Sequence, residues 1–287
     1  MLDPLRSDPA LLHLVDTVVG ELSAKSTRLR AEAVMLVGAG CRDILQSALG
    51  HDFPLRATAD LDLGLAIANW AAYDELTSKL PKAGNTGIRY RVAGVSADLM
   101  PFGTVENPPG MVTPNARREP MSVWGFTEVF KAAQPLPLPN AGTIRIPTVA
   151  GYAALKLAAW LDRSAYGEYK DASDIATVLY WYSKAPAVTE RLYDTARGHD
   201  LMLQEDYDDA AAAARILGED IADIIGRARR SELAERWPGP HHLLYQSMTV
   251  VNAPDWTPRV DRRHALVQAM ERGMGIGVGV GRQGLEP

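Results

Sequence analysis

Two aspartates occupy alternate positions of an apolar run, Ala59-Asp60-Leu61-Asp62-Leu63-Gly64-Leu65. Successive side chains of a strand point to opposite faces, so Asp60 and Asp62 share one face and the leucines share the other. Two neighbouring carboxylates repel each other, and a bound cation removes that repulsion. The pair therefore predicts a divalent-metal site near a strand end, with an exposed strand face as the alternative.

A third carboxylate, Asp98, lies in an apolar run, 95–100, that the pattern predicts to be the second strand of a hairpin around Gly94. Three carboxylates form an oxygen-rich ligand set that suits Mg²⁺, with Mn²⁺ as an alternative, better than zinc. We expect the three side chains to converge on shared ions. Carboxylate-held metal ions serve phosphoryl and nucleotidyl transfer.

A glycine turn, Val37-Gly38-Ala39-Gly40-Cys41-Arg42-Asp43, follows the predicted strand 33–37 and precedes a helix expected to begin near Arg42. Backbone N–H groups at such a turn bind phosphate, which makes Gly38, Ala39 and Gly40 nucleotide-binding candidates, with packing as the alternative. The turn matches neither a Walker loop nor the longer dinucleotide pattern. Arg42 fits two roles equally: a bidentate phosphate contact, or an ion pair with Asp43.

The amino-acid composition and net charge limit the partners and the cellular location that we expect for the chain. Its 287 residues are 47% hydrophobic, with a formal net charge of −5. Such a charge argues against bulk attraction to nucleic acid, although a local basic face remains compatible with it. The single cysteine, Cys41, excludes an internal disulfide. With no signal-peptide pattern and no membrane-length apolar run, we expect a cytoplasmic protein without a membrane partner.

The elements expected around these residues change character at residue 147. Before it, a helix from Pro9, short strands and the hairpin predict an α/β domain over residues 1–147. Residues 135–139 alternate proline and leucine, which predicts an extended connector or an edge. Helical spacing then dominates residues 148–272, and the glycine-rich residues 273–287 predict a flexible tail. The fold class is α+β: a small mixed sheet followed by a helical domain.

Several short motifs, taken in order, resemble a known family. The glycine turn, Ala57-Thr58-Ala59-Asp60-Leu61-Asp62-Leu63 and Ala97-Asp98-Leu99-Met100-Pro101-Phe102-Gly103 are similar to the polymerase-beta-type nucleotidyltransferase core. Two later runs, 154–163 and 170–175, narrow the resemblance to the AbiEii-type group of nucleotidyltransferase toxins. The resemblance covers residues 34–182 and implies a nucleotidyltransferase core with a helical half.

The resemblance implies roles for the residues before 147. Asp60 and Asp62 would hold the metal ions, and Asp98 would activate the acceptor hydroxyl. Gly38 and Gly40 would cradle the triphosphate. Many relatives read Gly-Gly-Ser at this turn, so the chain lacks the serine hydroxyl there.

The resemblance also implies roles for three residues of the helical half. Lys156 would meet the phosphates, and Lys170 and Asp174, one helical turn apart, would complete the site. On residue type and spacing alone, Lys156 would extend its ammonium to solvent from an apolar helix. Lys170 and Asp174 would form an exposed ion pair.

The expected activity is transfer of a nucleoside monophosphate from a nucleoside triphosphate to an acceptor, with two Mg²⁺ ions. The resemblance implies an RNA acceptor, especially the tRNA 3′ end, and a toxin restrained by a cognate antitoxin. One alternative is a small-molecule nucleotidyltransferase, such as an aminoglycoside-modifying enzyme, which the acidic chain slightly favours. The other is a non-catalytic module that binds a nucleotide or an antitoxin.

Overall fold

The computed structural model describes residues 7–58, 60–237, 241–250, 253–257 and 259–276. The chain forms two compact units that divide between Thr148 and Val149, one residue after the predicted boundary. Among the described residues, the first unit contains the sheets and the second is helical. The predicted α+β class with a helical part is therefore confirmed.

The first unit surrounds its sheet with short helices. Its helices are α1 (Pro9–Lys25), α2 (Gly38–Ala48), α3 (Trp70–Thr77) and α4 (Phe126–Ala132). Its strands are β1 (Val34–Val37), β2 (Leu61–Ile67), β3 (Arg89–Val92), β4 (Val95–Gly103), β5 (Met111–Val112), β6 (Met121–Ser122), β7 (Gln134–Pro137) and β8 (Thr143–Ile146).

Six of these strands form one mixed sheet in the order β3-β4-β2-β1-β8-β7, and β5 pairs with β6 separately. Strand β2 runs antiparallel to β1 and parallel to β4. The outer strands β3 and β7 run antiparallel to their neighbours. All four residues of the central strand β1 are buried, as its uninterrupted apolar run predicts.

Several predicted elements of this unit are confirmed. Asp8 caps α1 by accepting a hydrogen bond from the Ala10 N–H at 2.8 Å, and Pro9 occupies the first turn. The hairpin turns around Gly94, with Val92 opposite Val95. The proline-leucine segment supplies β7 at the edge of the sheet, where a missing N–H is tolerated.

The start of α2 differs from the expectation. The helix begins at Gly38, so residues 38–40 form its first turn and not a separate loop before Arg42. A Cβ atom on Gly40 would be only 3.2 Å from Leu61 Cδ1 and 3.3 Å from Leu36 Cδ1. Close packing of the helix on the strands therefore explains Gly40.

The second unit is made of seven helices among its described residues. They are α5 (Val149–Ser164), α6 (Lys170–Lys184), α7 (Pro186–Asp194), α8 (Ala196–Gln204), α9 (Asp209–Arg236), α10 (His241–Ser247) and α11 (Val260–Met274). In α9 the four alanines 211–214 are buried, and Gly226 introduces a kink with φ +70°. Small side chains at 211–214 thus serve packing as well as helix propensity.

Helices α9 and α11 meet at two glycines. A Cβ atom on Gly218 would lie 2.1 Å from the Met270 carbonyl oxygen, and one on Gly273 would lie 2.1 Å from the Arg215 carbonyl oxygen. Gly273 and the fully buried Met274 therefore belong to a packed helix, although the predicted tail begins at 273. Residues 277–287 of that tail lie outside the described residues.

Candidate functional site

Three aspartates of the first unit lie on one face of the sheet, and we call them the acidic row (Asp60, Asp62 and Asp98). Asp62 and Asp98 are direct neighbours across the parallel strands β2 and β4. Asp60 precedes β2 and lies two residues before Asp62. The leucines at 61, 63 and 65 face the core and are at most 2% exposed. Alternation along β2 therefore places the Asp62 carboxylate on the face opposite the leucines.

Sequence reasoning missed the cation that joins this row. Arg89 of β3 is the register partner of Asp98. Its Nε and Nη2 atoms donate to the two carboxylate oxygens of Asp98 at 2.8 and 2.9 Å. Nη2 also lies 2.9 Å from Asp60 Oδ2. The hairpin around Gly94 contained the signal, because a two-stranded register through Val92 and Val95 sets residue 89 opposite residue 98.

The acidic row perturbs the titration of Arg89. Hydrogen bonds to Asp98, and the charges of Asp98, Asp60 and Asp62, raise the pKa of the Arg89 guanidinium, and partial burial opposes that effect. Arg89 thus stays charged at every physiological pH. It neutralises part of the repulsion among the three carboxylates.

Gly38 provides the contact between the glycine turn and the acidic row. Its φ of +62° lies in the left-handed region, and a Cβ atom there would be only 1.8 Å from Asp62 Oδ2. The Asp62 carboxylate therefore packs against the first turn of α2, whose N-terminus favours negative charge. Ala39 is half-buried beside it, whereas Gly40 is buried.

Of the two roles expected for Arg42, the structure shows the ion pair with Asp43. Its guanidinium is 2% exposed and pairs with Asp43 at 2.8 Å. Nη2 also donates to the Arg56 carbonyl oxygen at 2.6 Å. A buried guanidinium with these partners is not available to a phosphate, so the phosphate contact predicted for Arg42 is replaced by packing of the loop after α2.

The carboxylates do not form a ready metal site. Within the described part of the chain, no group of three or more histidine, cysteine, aspartate or glutamate side chains is placed to hold a metal ion. The expected convergence is thus not seen, because Arg89 holds Asp60 and Asp98 while Asp62 packs against Gly38. The donor set still fits Mg²⁺ or Mn²⁺ in ligand type and in register.

The second unit contains a separate group of charges, which we call the lysine cluster (Lys156, Arg163, Asp171 and Asp174). Lys156 Nζ lies 2.6 Å from Asp174 Oδ2 and 3.2 Å from Asp171 Oδ1. Arg163 Nη1 donates to Asp171 at 2.9 Å. The side chains of Asp171 and Asp174 are 0% and 4% exposed, and that of Lys156 is 12% exposed. Lys156 therefore does not extend to solvent.

Lys170 and Asp174 do not form the ion pair that their spacing allows. Lys170 is 45% exposed and lies 3.7 Å from Glu168, while Asp174 pairs with Lys156. Sequence reasoning missed Asp171, although its i,i+3 spacing to Asp174 places both acids on one helical face. The prediction that Lys156, Lys170 and Asp174 complete one site with the acidic row stays a prediction.

The chain matches no protein-family model, and a search of the curated proteins finds no match. In the part of the chain that the structure describes, none of the helices combines the length and apolarity that a membrane crossing requires.

Proposed function

We propose that the chain is a metal-dependent nucleotidyltransferase whose reaction occurs at the acidic row. The shared register of Asp62 and Asp98 carries the proposal, because it sets two carboxylates side by side on neighbouring parallel strands, beside the start of a helix. The resemblance of the motifs in residues 34–182 to AbiEii-type proteins supports the same reaction. Arg89 offsets only one of the three negative charges, so this face keeps an excess of negative charge that favours a bound cation.

Each site residue of the first unit has its own role in the proposed reaction. Asp60 and Asp62 would hold Mg²⁺ or Mn²⁺, and Asp98 accepts the proton of the attacking hydroxyl. When bound, the metal ions neutralise charge on the triphosphate. The N–H groups at the first turn of α2, at Gly38 and Ala39, face the phosphates. Gly40 contributes by letting the helix approach the strands closely.

Three residues of the second unit enter the proposal through the resemblance alone. Lys156 and Asp174 form a buried ion pair, which would fix the position of the lysine ammonium. A positioned ammonium contacts phosphate oxygens when one side of it is open, and the side chain of Lys156 is 12% exposed. Lys170 is 45% exposed and lies 3.7 Å from Glu168.

The acceptor class follows from the resemblance, which implies RNA, with the tRNA 3′ end as the first candidate and growth inhibition restrained by an antitoxin as the role. The arginines of the second unit give limited support. Arg191 pairs with Asp220 at 2.7 Å, and Arg236 pairs with Asp162 at 2.5 Å. A cationic small molecule is the second candidate, favoured by the net charge of −5.

The test is transfer of label from each α-³²P nucleoside triphosphate to total RNA, to purified tRNA or to an aminoglycoside, in the presence of Mg²⁺. We expect labelled product with the wild-type chain, and loss of about a thousandfold or more in rate with Asp62→Asn. Asp52→Asn is the matched control, because Asp52 is an exposed carboxylate outside the acidic row.

The possible products separate the candidate functions. Label in RNA supports the RNA acceptor, and label in the aminoglycoside supports the small-molecule alternative. Nucleotide binding without transfer to any acceptor supports the non-catalytic module. Transfer that survives Asp62→Asn as well as Asp52→Asn contradicts the assignment of the reaction to the acidic row.

A further inference from the structure

The acidic row contains its own positive charge. The three carboxylates carry three negative charges, and Arg89 supplies one positive charge within hydrogen-bonding distance of two of them. One atom, Arg89 Nη2, lies 2.9 Å from Asp98 Oδ2 and also 2.9 Å from Asp60 Oδ2. The guanidinium thus occupies the place between these carboxylates where a shared cation would be held.

We propose that Arg89 is a built-in counter-ion that a divalent cation must displace, so that the Arg89 ion pairs and the metal-bound state exclude each other. The inference rests on the proposed function, since it concerns the same site. A guanidinium and a divalent ion repel each other when both contact one carboxylate. Metal binding therefore includes the work of breaking two ion pairs.

The position of Arg89 permits this exchange. Strand β3 is the outer strand of the sheet, and the Arg89 side chain is 31% exposed. The guanidinium can rotate into water without leaving a buried charge unpaired. Arg42 offers the contrast, since its guanidinium is 2% exposed and held by a backbone carbonyl as well as by Asp43. Of these two arginines, Arg89 is the one placed to leave.

The Arg89 ion pairs affect how the metal-free protein binds a divalent cation. With Arg89 in place, Asp60 and Asp98 stay paired, and binding of a metal alone is weakened. We expect the site to assemble only when the divalent-cation concentration suffices to compete with the guanidinium. Arg89 thus competes with the metal ion for Asp60 and Asp98, and its removal should tighten metal binding.

The experiment measures Mn²⁺ binding to the full chain by electron paramagnetic resonance of the free ion, without nucleotide. We expect Arg89→Gln to lower the dissociation constant of Mn²⁺ about tenfold. Arg91→Gln is the matched control, because Arg91 lies on the same strand and donates to the Gly94 carbonyl oxygen at 3.0 Å. It should change the constant less than about twofold.

A second variant separates charge from shape. Arg89→Lys keeps the positive charge and loses the bidentate fork, so its Mn²⁺ affinity should stay near that of the wild type. In the wild-type chain, Mg²⁺ should accelerate hydrogen exchange of the Arg89 Nε–H, which the Asp98 carboxylate protects in its absence. That measurement needs no variant to fold.

The failures are distinguishable. If Asp62→Asn abolishes Mn²⁺ binding but Arg89→Gln does not tighten it, the counter-ion inference is overturned and the metal site stands. An Arg89 Nε–H that stays protected in saturating Mg²⁺ overturns the inference as well. If neither the wild type nor Arg89→Gln binds Mn²⁺ in a way that depends on Asp62, the metal-dependent function fails and the inference falls with it.

Discussion

The acidic row and the lysine cluster hold charges in opposite ways. The three acids of the row share one base, Arg89, and Asp60 and Asp98 are 34% and 14% exposed. The lysine cluster has two acids and two bases, and its acids are at most 4% exposed. The two buried acids of the lysine cluster are matched by two bases, of which Arg163 is 43% exposed, whereas the acids of the row outnumber their single base and are more exposed. Burial of the acids and charge balance therefore favour fixed ion pairs in the lysine cluster and an exchangeable cation at the row.

The comparison is tested most strongly at Lys156. Replacing it by methionine removes the ammonium that contacts both Asp171 and Asp174 while these acids stay buried, which should lower the free energy of unfolding by about 3 kcal/mol. Lys170→Met is the control, and since Lys170 is 45% exposed it should cost about 0.5 kcal/mol or less. Urea denaturation followed by circular dichroism measures both.

A small loss for Lys156→Met would break the comparison. It would mean that the buried ion pairs of the lysine cluster contribute little to the free energy of unfolding. A loss of nucleotidyl transfer at unchanged stability would then assign Lys156 to the phosphates.

The next effect concerns Gly38, which supports the acidic row. Gly38→Ala introduces a Cβ atom 1.8 Å from Asp62 Oδ2 at a φ of +62°. We expect the free energy of unfolding to fall by about 3 kcal/mol, through backbone strain and displacement of the Asp62 carboxylate. Gly94→Ala is the matched control, because φ is +81° there and nothing lies within 4 Å of the new atom.

The control should lose only the strain of the left-handed backbone, about 1 kcal/mol. Equal losses for Gly38→Ala and Gly94→Ala in denaturation experiments would show that Asp62 moves aside freely. The carboxylate would then not be held against α2.

The smallest effect concerns the ion pair of Asp208 and Arg262, whose side chains are 30% and 32% exposed. Hydrogen bonds from Arg262 hold the pKa of Asp208 below its ordinary value of 3.8. Asp208 also caps α9 by accepting from the Ala211 N–H at 3.0 Å. Because the folded pKa is lowered, the carboxylate stabilises the fold above pH 3.8, and this contribution is lost as the pH falls through the folded value.

Asp208→Asn should therefore cost about 1 kcal/mol at pH 7 and progressively less below about pH 4. Thermal melts of both chains from neutral to strongly acidic pH measure the difference. No difference between the two chains at any pH would mean that the cap, which asparagine also makes, and not the charge supplies the stability. That result would leave burial as the sole variable that separates the two charged clusters.

Local sequence patterns predicted the backbone of the first unit well. Alternation predicted that Asp62 faces away from its leucine neighbours, and the capping signal at Asp8 marked the start of α1. Glycine composition misplaced the start of α2, because it does not tell whether Gly38 and Gly40 form a loop or a first helical turn. The helix start depends on packing against Leu36 and Leu61, which belong to two different strands.

Side-chain partners were harder to predict than backbone. Arg89 was missed because the acidic motifs point to metal ligands and not to a protein cation that neutralises them, although the hairpin register opposes it to Asp98. Asp171 was missed because Lys170 and Asp174 suggested an i,i+4 pair. The partner of Asp174 depends on which side of α6 is buried against α5, and spacing within one helix does not contain that information.

The pairing of Val37 with Asp62, of Asp62 with Asp98 and of Asp98 with Arg89 runs across four adjacent strands. The polar face is thus defined by the ladder itself. A single-residue insertion within β4 would turn Asp98 toward the core and its leucine neighbour outward, whereas two inserted residues would restore the facing. Length changes in the segment between β2 and β3 do not shift the register inside the strands, although α3 in that segment is tied to β4 by the Tyr73 hydroxyl, which donates to the Leu99 carbonyl oxygen at 2.9 Å. Insertions or deletions inside these strands should therefore involve an even number of residues if the carboxylates are to keep their face. Between the strands, an odd number does not reverse the facing.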